Sequence, residues 1–154
     1  MTQVLFFHDA SEKISATCEL VQLTWQARQP LLLYVPEAQQ AESVDRQLWT
    51  RPGTGFVPHC YVDSALAAQT PILIDSTLSQ PTQKERLLSL SQETPPEFIR
   101  FARIAEVVAQ EEQDRLAARQ RARDYKMAGC ELFFIRFQPA DAPQHAARNL
   151  GAWL

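Results

Sequence analysis

Five consecutive apolar residues, Leu31 to Val35, stand between Pro30 and Pro36. A strand with no polar alternation suits a position covered on both faces, as in a parallel sheet. Pro30 blocks continuation of any preceding helix. Pro36 suits the first position of a following helix, where its missing N–H costs nothing. The flanking segments agree with this reading. Val4 to Phe7 reads as a short buried strand, and Asp9 or Ser11 is placed to cap a helix after it. Ile14, Cys18, Val21 and Trp25 recur at spacings of 4, 3 and 4 residues, one face of a helix that Leu20 and Leu23 widen. Ala41, Val44 and Leu48 give the same pattern over a second helix, Glu37 to Trp49. Strand, helix, strand, helix predicts an α/β fold: a Rossmann-like three-layer sandwich around a mostly parallel sheet. A length of 154 residues suits one domain.

Arg51 to Asp63, rich in Gly and Pro, reads as a loop, Pro71 to Ile74 as a strand, and Ser76 to Gln83 as a loop. Arg86 to Leu90 is too short for periodicity to separate a strand from a helical turn. Propensity alone makes one long helix of Pro95 to Gly129, yet Ile104, Val107 and Val108 also suit a strand. The stretch is expected to hold a short helix at Pro96–Phe101, a strand at Arg103–Ala109 and a helix at Glu111–Ala128. Gly129 stands at its C-terminal cap position. Glu131 to Phe137 is the last strand.

The net charge is −3, so contact with a polyanion would require a local basic patch. Cys18, Cys60 and Cys130 lie far apart with no C-x-x-C pair, which argues against a zinc or redox motif and suits reduced thiols in the core. The first ten residues have no basic n-region, and no apolar run approaches bilayer length, so a cytoplasmic, non-membrane protein is expected. The turn after the first strand, His8 to Ser11, contains no glycine. It therefore lacks a nucleotide-binding loop, whose glycines let the backbone approach phosphates, and no cofactor is expected. His8 and Asp9 sit where α/β enzymes often place chemistry, which gives an alternative reading as a small enzyme. His59 and Asp75 are isolated polar residues of the same kind.

Two constellations stand out. The first is Leu48 to His59, with Trp49, Pro52, Phe56, Val57 and Pro58 in a loop-like stretch. Its rings either anchor a partner or plug the domain's own core. Its prolines would pre-order a binding loop. The second is basic: at ~100° per residue, Arg115, Arg119, Arg123 and Lys126 fall within an arc of ~80°, while Arg121 points the other way. Such a cluster is either a solvated face that complements the helix dipole or a receptor for anions.

The pattern L-W-x-R-P-x-x-x-F-V-P-H over Leu48–His59 resembles the signature of the chi subunit of bacterial DNA polymerase III. The preceding helix with Asp45 and Leu48, the later strand Pro71 to Asp75, and Arg119 to Gly129 fall in the corresponding order and spacing, so the resemblance covers roughly Met1 to Phe137. It implies a single Rossmann-like domain over residues 1–138 and a C-terminal extension over 139–154. It supports a strand at Arg103–Ala109 and implies no enzymatic activity. Two partners are implied: the psi subunit, held by Trp49, Pro52, Phe56, Val57, Pro58 and His59, and the acidic C-terminal tail of single-stranded-DNA-binding protein, met by Arg119, Arg123, Tyr125 and Lys126. DNA would be contacted only indirectly. Ala122 stands where an aromatic is expected, and Cys60 to Thr70 departs from the pattern. Leu150, Trp153 and Leu154 are apolar and are expected to dock, either on the chain's own body or on an exposed site such as the Trp49–Phe56 loop.

Overall fold

The computed structural model describes residues 1–50, 56–137 and 153–154. Among them, seven strands form one all-parallel sheet: β1 Gln3–Ala10, β2 Leu31–Tyr34, β3 His59–Tyr61, β4 Ile72–Asp75, β5 Arg86–Ser89, β6 Arg103–Ala109 and β7 Glu131–Arg136. Their spatial order is β3-β4-β2-β5-β6-β1-β7. The helices are α1 Lys13–Gln26, α2 Ala38–Thr50 and α3 Glu112–Met127. The Rossmann-like three-layer arrangement expected from the sequence is the one observed.

Right-handed crossovers decide which face each helix covers. The chain steps one way along the sheet from β1 to β2 to β3, and the opposite way from β6 to β7. Accordingly, α1 and α2 pack with Leu5, Phe7, Leu31, Leu33 and Ile74, while Ala118 and Tyr125 of α3 pack with Val4, Phe6, Leu32 and Ile104. Every residue of β2 is buried, as a central parallel strand requires.

Several boundaries differ from expectation. Asp9 and Ser11 do not cap α1; its N-cap is Glu12, with no side-chain capping bond. Asp9 instead adopts a left-handed φ of 67° and turns toward β7. The loop after α2 contains β3, a three-residue edge strand whose pairing with β4 the local sequence does not announce. Pro96–Phe101 holds only a single 3₁₀ turn, Phe98–Arg100, because Glu97 is left-handed and prevents a longer helix. Arg86–Leu90 resolves as strand β5, hydrogen-bonded between β2 and β6. Gly129 caps α3 at φ 86°: its N–H bonds to Lys126 O and that of Cys130 to Tyr125 O, satisfying carbonyls the helix leaves open. No disulfide joins the cysteines; Cys18 is buried, and Cys60 and Cys130 are half-buried rather than fully enclosed. Among the described residues no helix is long and apolar enough to cross a membrane.

Asp114 ties three elements together at the start of α3. It accepts hydrogen bonds from Lys13 Nζ at 2.8 Å, Ala109 N at 2.7 Å and Gln92 Nε2 at 3.0 Å. Burial pushes its carboxyl up, but the donors from Lys13, Ala109 and Gln92 outweigh burial and hold it below the usual carboxylate range. A depressed native pKa contributes stability above the unfolded value, near 3.9, and loses it as pH falls through the native one. Asp114→Asn is therefore expected to cost about 1–2 kcal/mol at neutral pH. Its deficit relative to wild type in urea unfolding should shrink below about pH 4. A deficit independent of pH would contradict this account.

Candidate functional site

The strand alternation of β1 and β7 brings Phe6, His8, Phe134 and Arg136 to the face that α3 covers. Phe6 and Phe134 are in register and stack, with ring centroids 5.3 Å apart and planes 18° from parallel. α3 presents Ala118 and Ala122 toward them, with Arg115, Arg119 and Arg123 alongside. Together with His8 and Val108 these residues line a groove of about 490 Å³. Phe134 remains 63% exposed. The small side chains of Ala118 and Ala122 leave the Phe134 ring accessible, stacked on a Phe6 ring that is buried. The departure at Ala122, where an aromatic was expected, therefore helps to open this groove. The arrangement sets an apolar floor beside planar cations, the chemistry that receives a ring accompanied by carboxylates.

The expected residues divide. Arg119 and Arg123 line the groove and are exposed; Lys126 is exposed but does not line it. Tyr125 offers no surface for a partner, being 0% exposed. Its ring meets Phe98 edge-on at 4.9 Å and Phe6 at 5.9 Å, and its hydroxyl donates to Glu106 Oε2 at 3.2 Å. Tyr125 is four residues from Arg121, so both turn inward on the same face. Arg121 Nε donates to Glu106 Oε2 at 2.6 Å, and Nη1 donates to Gln92 O at 3.0 Å. Burial raises the Glu106 carboxyl above its ordinary range despite the opposing pull of Arg121. Burial and the neighbouring Glu106 push the Tyr125 phenol well above its own. Phe6 and Phe134 are not among the expected site residues, and His8 is expected only in the alternative reading as a small enzyme. Alternation along β7 was visible in sequence, but not that β7 would lie beside β1.

The second surface lies where α2 runs into β3. Trp49, in the last turn of α2, and Phe56 are 58% and 57% exposed. Their ring centroids are 5.0 Å apart, and both rings rest near His59, at 5.2 and 6.4 Å. His59 is itself buried, held by Val57 O at 2.7 Å from Nδ1 and by Asp45 Oδ1 at 2.9 Å from Nε2. It positions the exposed pair instead of presenting its own ring. Val57 is 3% exposed and belongs to the core, so it cannot form a contact surface as expected. Pro58 is half-buried, and Pro52 lies outside the described residues. The rings do not plug the domain's own core: Trp49 and Phe56 face outward, and the side chains of this stretch that enter the core are Leu48 and Val57.

At the His8–Asp9 turn, Arg136 engages the Asp9 carboxylate through Nε at 2.9 Å and Nη2 at 2.8 Å. A small recess there is lined by His8, Asp9, Gln110, Arg115 and Arg136.

These features define an α/β protein whose exposed chemistry suits recognition of other chains. A family model described as DNA polymerase III chi subunit, HolC, matches residues 1–133. The DNA polymerase III subunit chi of Pseudomonas aeruginosa is 28% identical over 136 residues, covering 86% of this chain and 94% of that protein. Those of Haemophilus influenzae and Escherichia coli are 29% and 26% identical over 116 residues, covering 75% of this chain and 81% and 79% of theirs. The chain belongs to the DNA polymerase III chi subunit family.

Proposed function

We propose that this chain is a non-catalytic adaptor of the replicative clamp loader, with one surface for the psi subunit and another for the acidic C-terminal tail of single-stranded-DNA-binding protein. The observation that carries this reading is the separation of two recognition surfaces of different chemistry. The Trp49–Phe56 pair is apolar and aromatic and lies where α2 meets β3, at one edge of the sheet. The Phe6–Phe134 groove, edged by Arg115, Arg119 and Arg123, lies at the opposite edge, against β7. An aromatic residue with a free carboxylate, preceded by acidic residues, suits the groove: the ring on Phe134, the carboxylates on the arginine forks. The pair at the other edge suits an apolar partner face. Linking two modest contacts raises effective concentration and tethers the loader to coated lagging-strand template without catalysis, so DNA itself is contacted only indirectly.

Titration calorimetry with an acidic peptide ending in phenylalanine tests the groove. Binding to the wild type is expected to weaken as salt rises from about 0.05 to 0.3 M, because exposed charges are screened. Arg123→Glu should lower affinity about tenfold or more, as expected for a reversed charge beside a carboxylate. Arg119→Ala should weaken binding and flatten the salt dependence. Lys126→Ala, outside the groove, should have the smaller effect. Equal affinities for wild type, Arg119→Ala and Arg123→Glu at both salt concentrations would remove the groove from the proposal.

A further inference from the structure

Trp153 and Leu154 occupy a site that neither recognition surface uses. Trp153 is 0% exposed and packs into the core cluster on the α1 side of the sheet. Its indole N–H donates to Thr24 Oγ1 at 2.9 Å, and that hydroxyl in turn donates to Leu20 O at 2.7 Å. Arg86, only 3% exposed, directs its guanidinium at the same segment: Nε donates to Trp153 O at 2.8 Å and Nη2 to Leu154 O at 3.0 Å. Nη1 donates to Gln29 Oε1 at 3.0 Å. Two of the three donor contacts of a buried arginine therefore go to main-chain oxygens of Trp153 and Leu154. Burial, and then Arg103, depress the Arg86 pKa, so the buried cation depends on these acceptors. The Trp49–Phe56 loop, the other docking place expected from sequence, is not where Trp153 sits.

The contacts have the form of a ligand site. One side chain fills an apolar slot with its polar atom satisfied, and a fixed fork reads the backbone oxygens beside it. The family match ends at residue 133, so the residues filling the slot lie beyond the matched region. The connection is long enough to allow docking within one chain. Phe137 is anchored by its N–H to His8 O at 2.8 Å, and fifteen residues, 138–152, separate it from Trp153. Fifteen residues reach up to ~50 Å when extended. The three strand spacings from β7 to β5 amount to ~14 Å, and the length of β1 to ~26 Å.

We propose that Thr24, Gln29 and Arg86 form a peptide-binding slot, selective for tryptophan followed by an aliphatic residue, whose ligand is the chain's own Trp153–Leu154. The segment is a latch that can be removed and replaced, and the slot accepts the same sequence from a separate peptide. This inference does not depend on the partners proposed above.

The test uses the full chain carrying Trp153→Ala and a synthetic peptide with the sequence of residues 148–154. The variant should melt below wild type, and the peptide should restore part of the difference. A peptide with alanine in place of tryptophan should bind at least ~10-fold more weakly, since a buried tryptophan is lost. Adding Thr24→Val to the variant should weaken the native peptide about fivefold by removing the indole's acceptor. Failure of the native peptide to bind a folded Trp153→Ala chain would overturn the proposal. If that variant does not fold, hydrogen exchange of the Trp153 indole in the unaltered chain decides. Exchange faster than that of the β1 amides indicates a separable latch. Exchange only at the rate of those amides would make the segment ordinary core and overturn the proposal.

Discussion

Replacing Arg121 by alanine is expected to cost about 3–5 kcal/mol of folding stability, the range for removing one partner of a buried ion pair. Glu106 is 0% exposed; Oε2 receives Arg121 and Tyr125, while Oε1 meets no donor among the described residues. Without Arg121 the carboxylate keeps only the Tyr125 hydroxyl. The charge then becomes the unfavourable state, and the native protein avoids it by holding a proton. A carboxyl whose native pKa is raised binds a proton that the unfolded chain has released, so stability falls as pH rises from the unfolded value, near 4.3, to the native one. Burial already raises the Glu106 pKa in the wild type. The variant should widen that window, so its deficit should be largest at neutral pH and shrink toward pH 4–5. Urea unfolding of both proteins across this range measures it. The difference between them largely cancels the opposite acid-side contribution of Asp114. Replacing the pair by Arg121→Met with Glu106→Leu should recover most of the loss, because no buried charge remains. A deficit below about 1 kcal/mol in Arg121→Ala, or one that grows toward acid, would contradict this account.

Trp49→Ala and Phe56→Ala should each weaken binding of the psi subunit by about 2 kcal/mol or more, as expected for central aromatic anchors. Folding should change far less, since each residue is more than half exposed in the free chain. Their arrangement is pre-set: the two rings pack on each other at 5.0 Å, and His59 beneath them is locked by Asp45 and Val57 O. Pre-ordering lowers the entropy lost on binding. Asp45→Ala should therefore weaken psi binding indirectly, by freeing His59, and by less than loss of either ring. Calorimetry with purified psi subunit measures all three, with Arg123→Glu as the variant expected to bind normally. Unchanged affinity in a folded Phe56→Ala protein would remove this surface from the proposal.

Local chemistry decided a good deal by itself. The unbroken run Leu31–Val35 between prolines could be satisfied only with cover on both faces, and β2 is buried throughout. The β-branched cluster in Arg103–Ala109 overrode helix propensity, and β6 has those bounds. The motif from Leu48 to His59 was legible as a family signature, and the spacing of α3 separated Arg121 from the exposed arginines. The same spacing carried the signal that Tyr125 shares the face of Arg121 and turns inward with it.

Other features depended on contacts between distant segments. Strand β3 has only three residues, and its pairing comes from β4, more than ten residues further along the chain. Phe134 belongs to a groove because β7 lies beside β1, where Phe6 waits in register. Period-two alternation indicates which residues share a face, but not which strand will supply the neighbour. Arg86 and Trp153 give no sign in sequence that they are partners, and 67 positions separate them. What brings them together is the need of a buried guanidinium for acceptors and of a large apolar ring for a slot. Only the assembled sheet provides both in one place.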